Sequence, residues 1–369
     1  MTHQIRPASA PAQPAASRLA IADCDIHPAR RSDAEFDPWL APAWREHLQT
    51  YGARYRQGWQ TGPAFPKAQP NASRRDAWPP DGGRPGSSLG FMQEQHLDPN
   101  RVALGILNPL GTGQGLQNVA LSAALCHATN EWQIANWTSR DARLRASVVV
   151  PYEDAATSAA EIARRAGHPA FAQVLLLSRT AAPLGSRRYW PIYQAAAEAG
   201  LPVAIHAFGY GGNPISGAGW PSFYIEEMTS HAQTCQAGLV SLIVEGVLAR
   251  LPRLRIVIVE GGFAWAPALG WRLDRAWRRL RSETPHLDRL PSEYIRSQVW
   301  FTTQPMEEPE PRAHLLDTIA WIGWDRLLFA TDYPHWDYDD PAQAFPLPAT
   351  ASQLRGLFLD NARAVYGHA

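Results

Sequence analysis

The stretch Ile256-Val257-Ile258-Val259-Glu260 is an apolar run of β-branched residues that ends at a carboxylate. Such a run, without alternating polar residues, is typical of a strand that is buried on both faces, as strands are in a parallel sheet. The carboxylate follows the last apolar residue, so it would stand where the strand ends. The pattern therefore predicts a buried parallel strand with Glu260 at its C-terminal end.

Seven further apolar runs of similar length occur along the chain, and longer segments with helical patterns separate most of them. The eight predicted strands are residues 19–26, 101–107, 146–151, 172–177, 201–206, 254–259, 298–302 and 326–331. The predicted helices are residues 114–139, 155–167, 186–200, 223–250, 267–282, 313–321 and 352–366. Because strands alternate with helices, the connections should be crossovers and the sheet should be parallel.

Eight such units in 369 residues favour the closed (β/α)8 TIM barrel, an α/β architecture. The alternative, an open doubly wound sheet, would need a Gly-rich phosphate loop after its first strand, where this chain has His27-Pro28. We predict that residues 19–369 form one barrel domain and that the Ala-, Pro- and Gln-rich residues 1–18 form a disordered tail. Residues 28–100 are too many for an ordinary βα loop, and they are predicted to form a lid or interface insertion.

The composition excludes several classes of partner. Lysine and arginine balance aspartate and glutamate at 34 each, so the formal net charge is zero and favours neither nucleic acid nor an anionic membrane. The basic residues 272–281 fit a solvated helix face. Three widely spaced cysteines and the lack of a long apolar run predict a cytoplasmic protein. No Gly-x-Ser-x-Gly elbow and no phosphate-binding loop occur in the sequence, which argues against serine hydrolysis and nucleotide chemistry.

Polar side chains end four of the predicted strands. His27, His206, Glu260 and Asp332 each follow an apolar run, and Asp23 and Asp25 share the face of His27 in the first strand because side chains alternate. Barrel enzymes place their catalytic groups at the carboxyl ends of strands, so these side chains should meet at one mouth. Two imidazoles with carboxylates suit zinc, iron or manganese. A polar mouth that is held by ion pairs, without a metal, is the alternative.

The sequence resembles a known superfamily in several of these motifs. They are Asp25-Ile26-His27 in the first strand, His206 in the fifth, 330–335 (Ala-Thr-Asp-Tyr-Pro-His) in the eighth, and the closing segment 361–366. Over residues 21–366 the chain resembles the amidohydrolase superfamily, in particular the branch of aminocarboxymuconate-semialdehyde decarboxylase and related aromatic-acid decarboxylases. The resemblance implies a metal-dependent TIM barrel. In that family the ligands are a first-strand His-x-His, histidines that end strands five and six, and an eighth-strand aspartate that also handles a proton of water at the metal.

The resemblance assigns these roles to His27, His206 and Asp332, and the sequence departs from the family in two places. The second first-strand histidine is missing after His27, where the chain continues Pro28-Ala29, and Glu260 replaces the sixth-strand histidine. The replacement of an imidazole by a carboxylate makes the site richer in oxygen and more anionic, which moves its preference from zinc towards iron, manganese or a pair of metals. Further candidate ligands are Asp25, Glu226, Glu227, His231, Glu308 and His335. The best of these further candidates is His335, which is also a candidate general acid.

Three functions follow from this interpretation. The first is metal-dependent hydrolysis or decarboxylation of a small apolar or aromatic carboxylated substrate, with Asp332 and His335 as catalytic groups. The second is a non-heme iron or iron–manganese oxygenase, and the third is a catalytically silent metal-binding subunit of a hetero-oligomer. Arg179 is predicted to bind a substrate carboxylate, and Gln304, which follows the seventh strand, is predicted to contact substrate. A homodimer or an assembly with a related chain is the expected oligomer.

Overall fold

The computed structural model describes residues 19–54 and 65–367. Eight parallel strands follow one another in chain order, which confirms the predicted (β/α)8 barrel. They are β1 (Ile21–Ile26), β2 (Val102–Leu107), β3 (Leu144–Val149), β4 (Phe171–Arg179), β5 (Val203–Gly209), β6 (Ile256–Val259), β7 (Val299–Thr302) and β8 (Leu327–Leu328). Backbone hydrogen bonds from Cys24 to Phe329 (2.9 Å) and from His27 to Tyr333 (2.8 Å) join β1 to the β8 segment and bring the ring together.

Helices surround this ring in the described part of the chain. They are α1 (Pro42–Tyr51), α2 (Leu89–Met92), α3 (Val119–Gln133), α4 (Ala155–Arg165), α5 (Trp190–Glu198), α6 (Tyr224–Val244), α7 (Val247–Arg250), α8 (Ala266–Leu280), α9 (Pro291–Gln298), α10 (His314–Ile322), α11 (Ala351–Arg355) and α12 (Asn361–Tyr366). The helix predicted at 223–250 is divided into α6 and α7, because Gly246 has φ +84° and interrupts it. α3 begins five residues later than predicted, after Asn118, whose side chain accepts a hydrogen bond from the Leu121 amide and caps the helix.

The apolar core has two layers. One lies between the strands and the helices, and the other fills the barrel interior with side chains such as Ala22, Leu104, Leu175 and Val257, together with Tyr366 of the last helix. The interior also holds the buried, hydrogen-bonded side chains of Ser147 and Gln173, while His206 and Glu260 stand at the carboxyl-end mouth. The barrel is therefore a packed core with a polar opening.

Part of the predicted insertion lies against that mouth. Ser73 forms an antiparallel bridge with His335, the Arg74 amide donates to the Pro334 carbonyl (3.0 Å), and the Trp336 amide donates to the Ala72 carbonyl (2.8 Å). Described residues of 28–100 thus form part of the mouth's wall, while their role as a lid or interface stays a prediction. The predicted tail 1–18 lies outside the described residues. Among the described helices, none combines the length and the apolar character that a bilayer crossing requires.

Candidate metal centre

Six side chains with metal-ligating atoms converge at the carboxyl ends of the strands. They form two overlapping groups, Asp25–His27–His206–Glu260 and His27–Glu260–Asp332–His335, and within each group the ligand atoms all lie within 4.8 Å of one another. They come from β1 and the residue that follows it, from β5, and from the segments that follow β6 and β8. The structure thus brings together the five residues predicted as metal ligands, Asp25, His27, His206, Glu260 and Asp332, and the further candidate His335.

The backbone turns sharply at two of these positions. Glu260 has φ +55° and Asp332 has φ +61°, in the left-handed region that residues other than glycine rarely adopt. The Glu260 amide donates to Thr302 Oγ1 (3.1 Å), which helps to hold the turn. Strained backbone of this kind costs free energy and is concentrated at functional sites. Here it follows two strand ends and accompanies carboxylates that point into the mouth.

Asp25 and His27 come from the first strand and the residue that follows it. Asp25 Oδ1 lies 3.1 Å from His27 Nε2. Asp25 Oδ2 is also 3.6 Å from His206 Nε2. Asp25 thus supplies a ligand atom next to that of His27 in the group. Asp25 belongs to the centre of the group.

Both imidazoles of the first group have their tautomers set by backbone carbonyls. His27 Nδ1 lies 2.7 Å from the Asn108 carbonyl oxygen, and His206 Nδ1 contacts the Ala207 carbonyl oxygen. A carbonyl only accepts, so Nδ1 donates in each ring and the neutral ring keeps a lone pair on Nε2. His27 Nε2, His206 Nε2 and Asp25 Oδ2 are buried and have no hydrogen-bond partner. Three unpaired ligand atoms that face one another fit a bound cation.

The carboxylates of the first group favour positive charge at the two imidazoles beside them. Burial opposes protonation of His27 and His206, but the negative charges of Asp25 and Glu260 outweigh it and raise the pKa of His27 to about 9 and that of His206 to about 10. Burial likewise opposes ionisation of Glu260, but the neighbouring His206 holds the pKa of Glu260 below its ordinary value. A divalent cation would supply the same positive charge and would compete with protons for these lone pairs.

Asp332 and His335 form a pair at the second group. His335 Nδ1 lies 2.6 Å from Asp332 Oδ1, which is also 2.8 Å from His27 Nε2. Burial raises the pKa of Asp332 well above its ordinary value, and the negative charge of Glu260 adds to the effect. Burial also lowers the pKa of His335 to about 3, with the positive charge of His27 acting in the same direction. In the metal-free protein these shifts favour a proton on Asp332 and a neutral His335.

An aromatic cavity of about 400 Å³ lies above the group. His206, Glu260 and His335 reach its floor, whereas Asp332 is fully buried behind them. The walls come from five parts of the chain: 65–72 of the insertion, the segment after β2, the end of β5 with the loop that follows it, α6, and residues 336–337 after β8. The wall residues include Phe65, Asn71, Phe208, Tyr210, Tyr224, Glu227, Met228, His231, Trp336 and Asp337. The cavity therefore offers apolar and aromatic surface directly above the buried ligand atoms.

Comparison with known proteins agrees with this geometry. The sequence profile of the family described as Amidohydrolase matches residues 22–368. The chain belongs to the amidohydrolase family. The predicted resemblance is thereby confirmed, and the protein is a member of a family of enzymes.

Relatives within the amidohydrolase family include decarboxylases. A γ-resorcylate decarboxylase from a Polaromonas species is 25% identical over 236 residues, which cover 58% of this chain and 68% of the relative. Two further γ-resorcylate decarboxylases, from Rhizobium species, match over only 41% and 38% of their lengths.

Among solved structures, an amidohydrolase from Mycobacterium avium subsp. paratuberculosis superposes with a TM-score of 0.69 at 20% identity, covering 95% of this chain and 100% of the other. A dihydroxybenzoic acid decarboxylase from Polaromonas, solved with manganese and the inhibitor 2-nitroresorcinol, gives a TM-score of 0.65 at 16% identity, with 94% and 97% covered.

Two residues predicted to bind substrate lie away from the cavity wall of this amidohydrolase. Arg179 is buried at the end of β4, contacts the Asn213 carbonyl oxygen and lines a separate cavity of about 450 Å³. Gln304 is fully buried and donates to Asp332 Oδ2 (3.4 Å) and to the Asp337 carbonyl (3.3 Å). Gln304 therefore contacts the catalytic candidate Asp332 from behind.

The other candidate ligands lie outside the two metal-ligating groups: at the N-terminus of α6, on the cavity wall and on the protein surface. Glu226 accepts hydrogen bonds from the Ser222 and Phe223 amides at the start of α6, and Glu308 is exposed and lies 3.5 Å from Arg312. Glu227 and His231 line the cavity wall. They are placed to contact a bound molecule, whereas the six converging residues are placed to bind a cation.

Sequence reasoning missed Asn108. Its carbonyl fixes the His27 tautomer, and its side-chain amide donates to Asp25 Oδ1 (2.9 Å), while its own Oδ1 accepts from Ser147 and Gln173. Asn108 directly follows the apolar run of β2, which is the same signal that identified His206 and Glu260. A polar residue directly after an apolar run is therefore a site candidate whether it is an amide, an imidazole or a carboxylate.

Proposed function

We propose that this chain is a divalent-metal-dependent decarboxylase of a small aromatic carboxylate. The observation that supports the proposal most strongly is the set of buried ligand atoms on Asp25, His27 and His206 that have no hydrogen-bond partner, next to an aromatic cavity that His206 lines. The relatives named γ-resorcylate and dihydroxybenzoic acid decarboxylase give the substrate class. A small molecule is the expected partner in the cavity.

Asp25, His27, His206 and Glu260 are proposed to hold the ion, with Asp332 beside it as a further ligand candidate. When bound, a divalent ion supplies a Lewis acid that can hold substrate oxygens and stabilise developing negative charge. Manganese is the first metal to test, because the ligand set combines imidazole with carboxylate and because a structural neighbour was solved with it. Asn108 supports the set by orienting both Asp25 and His27.

Asp332 and His335 are proposed to deliver the proton that replaces carbon dioxide. His335 lines the cavity and Asp332 does not, so His335 gives a proton to the substrate ring carbon and recovers one from Asp332 through Nδ1. The bond between the ring and the carboxylate then breaks, its electron pair restores the aromatic ring, and carbon dioxide leaves. The side chain of His335 is 18% exposed, which gives solvent a route to restore the proton.

The cavity wall is suited to a planar substrate. Phe208, Tyr210, Tyr224 and Trp336 offer ring faces and edges, and about 400 Å³ is within the usual range for small-molecule sites. Glu227, His231 and Asp337 add polar groups at the same wall. They would contact ring hydroxyl groups, which both donate and accept hydrogen bonds.

The proposal is tested by incubating manganese-loaded protein with a panel of hydroxylated benzoates and measuring carbon dioxide release and loss of acid. We expect release from at least one member in air and under nitrogen alike. His206→Ala should abolish it, and His314→Gln should not, because His314 is an exposed histidine on α10. No release from any member, with manganese bound, would contradict the proposed reaction.

The carboxylate-rich ligand set also supports a second candidate, oxygenation of an aromatic compound by bound iron. Three carboxylates and three imidazoles are ligand types that non-heme iron uses for dioxygen chemistry. The same panel, run with iron-loaded protein, would then show oxygen consumption and a hydroxylated product in air only. Dependence on oxygen separates the two functions.

We also propose that the chain acts as a homodimer or together with a related chain. Trp220, Phe223 and Ile225, at the start of α6 beside the cavity wall, are 38%, 71% and 71% exposed. Exposed apolar groups this close together are typical of interaction surfaces. Light scattering on the purified chain should give twice the 40.8 kDa chain mass. A mass of one chain would contradict the homodimer. The assembly with a related chain would then be tested by co-purification from the source cell.

A further inference from the structure

We propose that the cavity at the end of β4 is a second binding site, which takes a small organic carboxylate and binds its carboxylate group through Arg179. This cavity has a volume of about 450 Å³ and is lined by the end of β4, the segment that follows it and the second half of α6. It has no described lining residue in common with the aromatic cavity beside the metal ligands. The site is therefore separate from the one to which the proposed function assigns the reaction, and it goes beyond that function.

The unpaired charge of Arg179 is the first argument. Its side chain is 9% exposed, and of the five N–H groups of the guanidinium only one has an acceptor within the described chain, the Asn213 carbonyl oxygen. Its Nε is buried without a hydrogen-bond partner. Arg165 is similarly buried but has Glu161 and Glu131 each 2.8 Å away. A buried charge without a partner is costly, so an anion at Arg179 is favoured.

The acidic residues nearby do not balance this charge. Glu227 lines the metal cavity, and its negative charge opposes the effect of burial on Arg179, but burial prevails and the pKa of Arg179 stays below its ordinary value. Glu245 lines the same cavity as Arg179. It lies about three helical turns along α6 from Thr234, whose Oγ1 is 3.0 Å from Ser178 Oγ at the Arg179 end. The cavity therefore has its cation at one end and its acid at the other.

The remaining walls indicate the chemistry of the ligand. A guanidinium presents a planar fork that binds a carboxylate through two parallel hydrogen bonds. Beyond it the cavity is lined by apolar side chains, among them Pro183, Leu184, Val240 and Val244. Among the described lining residues Arg179 is the only lysine or arginine, whereas a multiply charged oxyanion would favour several cations. One charge at an apolar wall suits a carboxylate with a short hydrocarbon body.

The end of β5 and the loop after it lie between the two cavities and contact both. Phe208 and Tyr210 line the metal cavity, while Asn213 lines the second cavity and accepts from Arg179. Gly209 packs so closely that a Cβ there would lie 2.6 Å from the Arg179 carbonyl oxygen. A ligand that holds Arg179 should therefore also hold this stretch of backbone in place.

The test is calorimetric titration of the manganese-loaded full chain with butyrate. Butyramide is the uncharged control of the same size, and sulfate is the inorganic oxyanion. We expect butyrate to bind, butyramide not to bind, and Arg179→Gln to weaken butyrate binding by at least about 10-fold. Arg179→Lys, which keeps the charge and loses the fork, should give an intermediate Kd. Arg279→Gln should bind as the wild type does, because Arg279 is an exposed residue of α8.

Hydrogen–deuterium exchange locates the bound probe. Butyrate should slow amide exchange in residues 207–213 of the wild type and of Arg279→Gln, and this protection should be lost in Arg179→Gln. Butyrate binding that survives Arg179→Gln, as a carboxylate bound to manganese would, overturns the site. Sulfate binding more tightly than butyrate overturns the organic carboxylate as its ligand.

Thermal unfolding tests the charge argument with a matched pair of variants. Arg165→Met breaks the ion pairs with Glu161 and Glu131 and should lower the Tm, whereas Arg179→Met removes an unpaired charge and should not. Butyrate should raise the Tm of the wild type and leave that of Arg179→Met unchanged. Equal losses of Tm in the two variants would show that the fold itself balances the Arg179 charge, which overturns the proposal. None of these measurements uses decarboxylation, so this site and the proposed function can fail separately.

Discussion

Asp23 and Asp25 are two buried carboxylates on one strand, two residues apart, and the structure uses them differently. Asp23 accepts hydrogen bonds at both oxygens, from the Asp25 and Thr331 amides at Oδ1 and from Thr331 Oγ1 and His96 Nε2 at Oδ2. Asp25 accepts one from Asn108 at Oδ1, and its Oδ2 has no partner. Asp23 therefore joins β1 to the β8 segment and to the insertion, whereas Asp25 keeps an oxygen for a ligand. A buried carboxylate is a candidate ligand when its hydrogen bonds are incomplete.

Asp25→Asn should have the largest effect, and it tests the functional half of this comparison. We expect at least about 100-fold weaker manganese binding, because the amide keeps the shape and loses the charge that the cation needs. Decarboxylation should fall in parallel, while the free energy of unfolding should fall by less than in Asp23→Asn, because Asp25 accepts fewer hydrogen bonds than Asp23 does. Equilibrium dialysis and urea titration measure the two quantities. Undiminished manganese binding would place Asp25 outside the ligand set.

Asp23→Asn tests the structural half. The amide group would face the donors of Thr331 or His96, so we expect a loss of about 3 kcal/mol in the free energy of unfolding. The manganese stoichiometry of the folded fraction should stay that of the wild type. Urea unfolding at fixed pH gives the first value and metal analysis the second. Loss of metal without loss of stability would exchange the roles of the two aspartates.

Added manganese should sharpen the difference between the two variants. Binding to the folded state alone stabilises a protein by about 2.7 kcal/mol when the free ligand is 100 times its Kd. We expect that gain in the wild type and in Asp23→Asn, and much less in Asp25→Asn at the same manganese concentration. Thermal unfolding with and without chelator provides the measurement. Equal stabilisation of Asp25→Asn would show that the ion binds elsewhere.

Asn108→Ala should have the smallest effect of the four, because Asn108 acts through other residues. Its backbone carbonyl remains, so the His27 tautomer is kept, but Asp25 loses its only side-chain hydrogen bond at Oδ1. We expect about 10-fold weaker manganese binding, the lower end of the range for residues that orient ligands. Asn108→Asp is the matched comparison, since it keeps the size and adds a charge. An unchanged Kd for Asn108→Ala would make Asn108 purely structural.

The sequence predicted the barrel well because each strand is buried and reads as an apolar run. The polar residue that ends such a run is conspicuous, and this is why His206, Glu260 and Asp332 were identified without coordinates. The positions of the Arg179 and Gln304 side chains could not be predicted from the sequence. Both follow strands as catalytic groups do, but the structure directs one into a neighbouring cavity and the other behind Asp332. Strand ends predict which residues are near the mouth, and long-range packing decides which of them face it.

By itself the sequence determined the eight strands, their parallel order and the residues at their carboxyl ends, because burial and side-chain alternation are local properties that appear in the order of residue types. Only the tertiary structure decided that Asp25 joins the ligands while Asp23 pairs with Thr331 and His96. The pairing of β1 with β2 shifts register between Asp23 and Ile26, and the left-handed turns at Glu260 and Asp332 bring carboxylates from distant strands together. These depend on contacts between segments up to 308 residues apart, which no local pattern records.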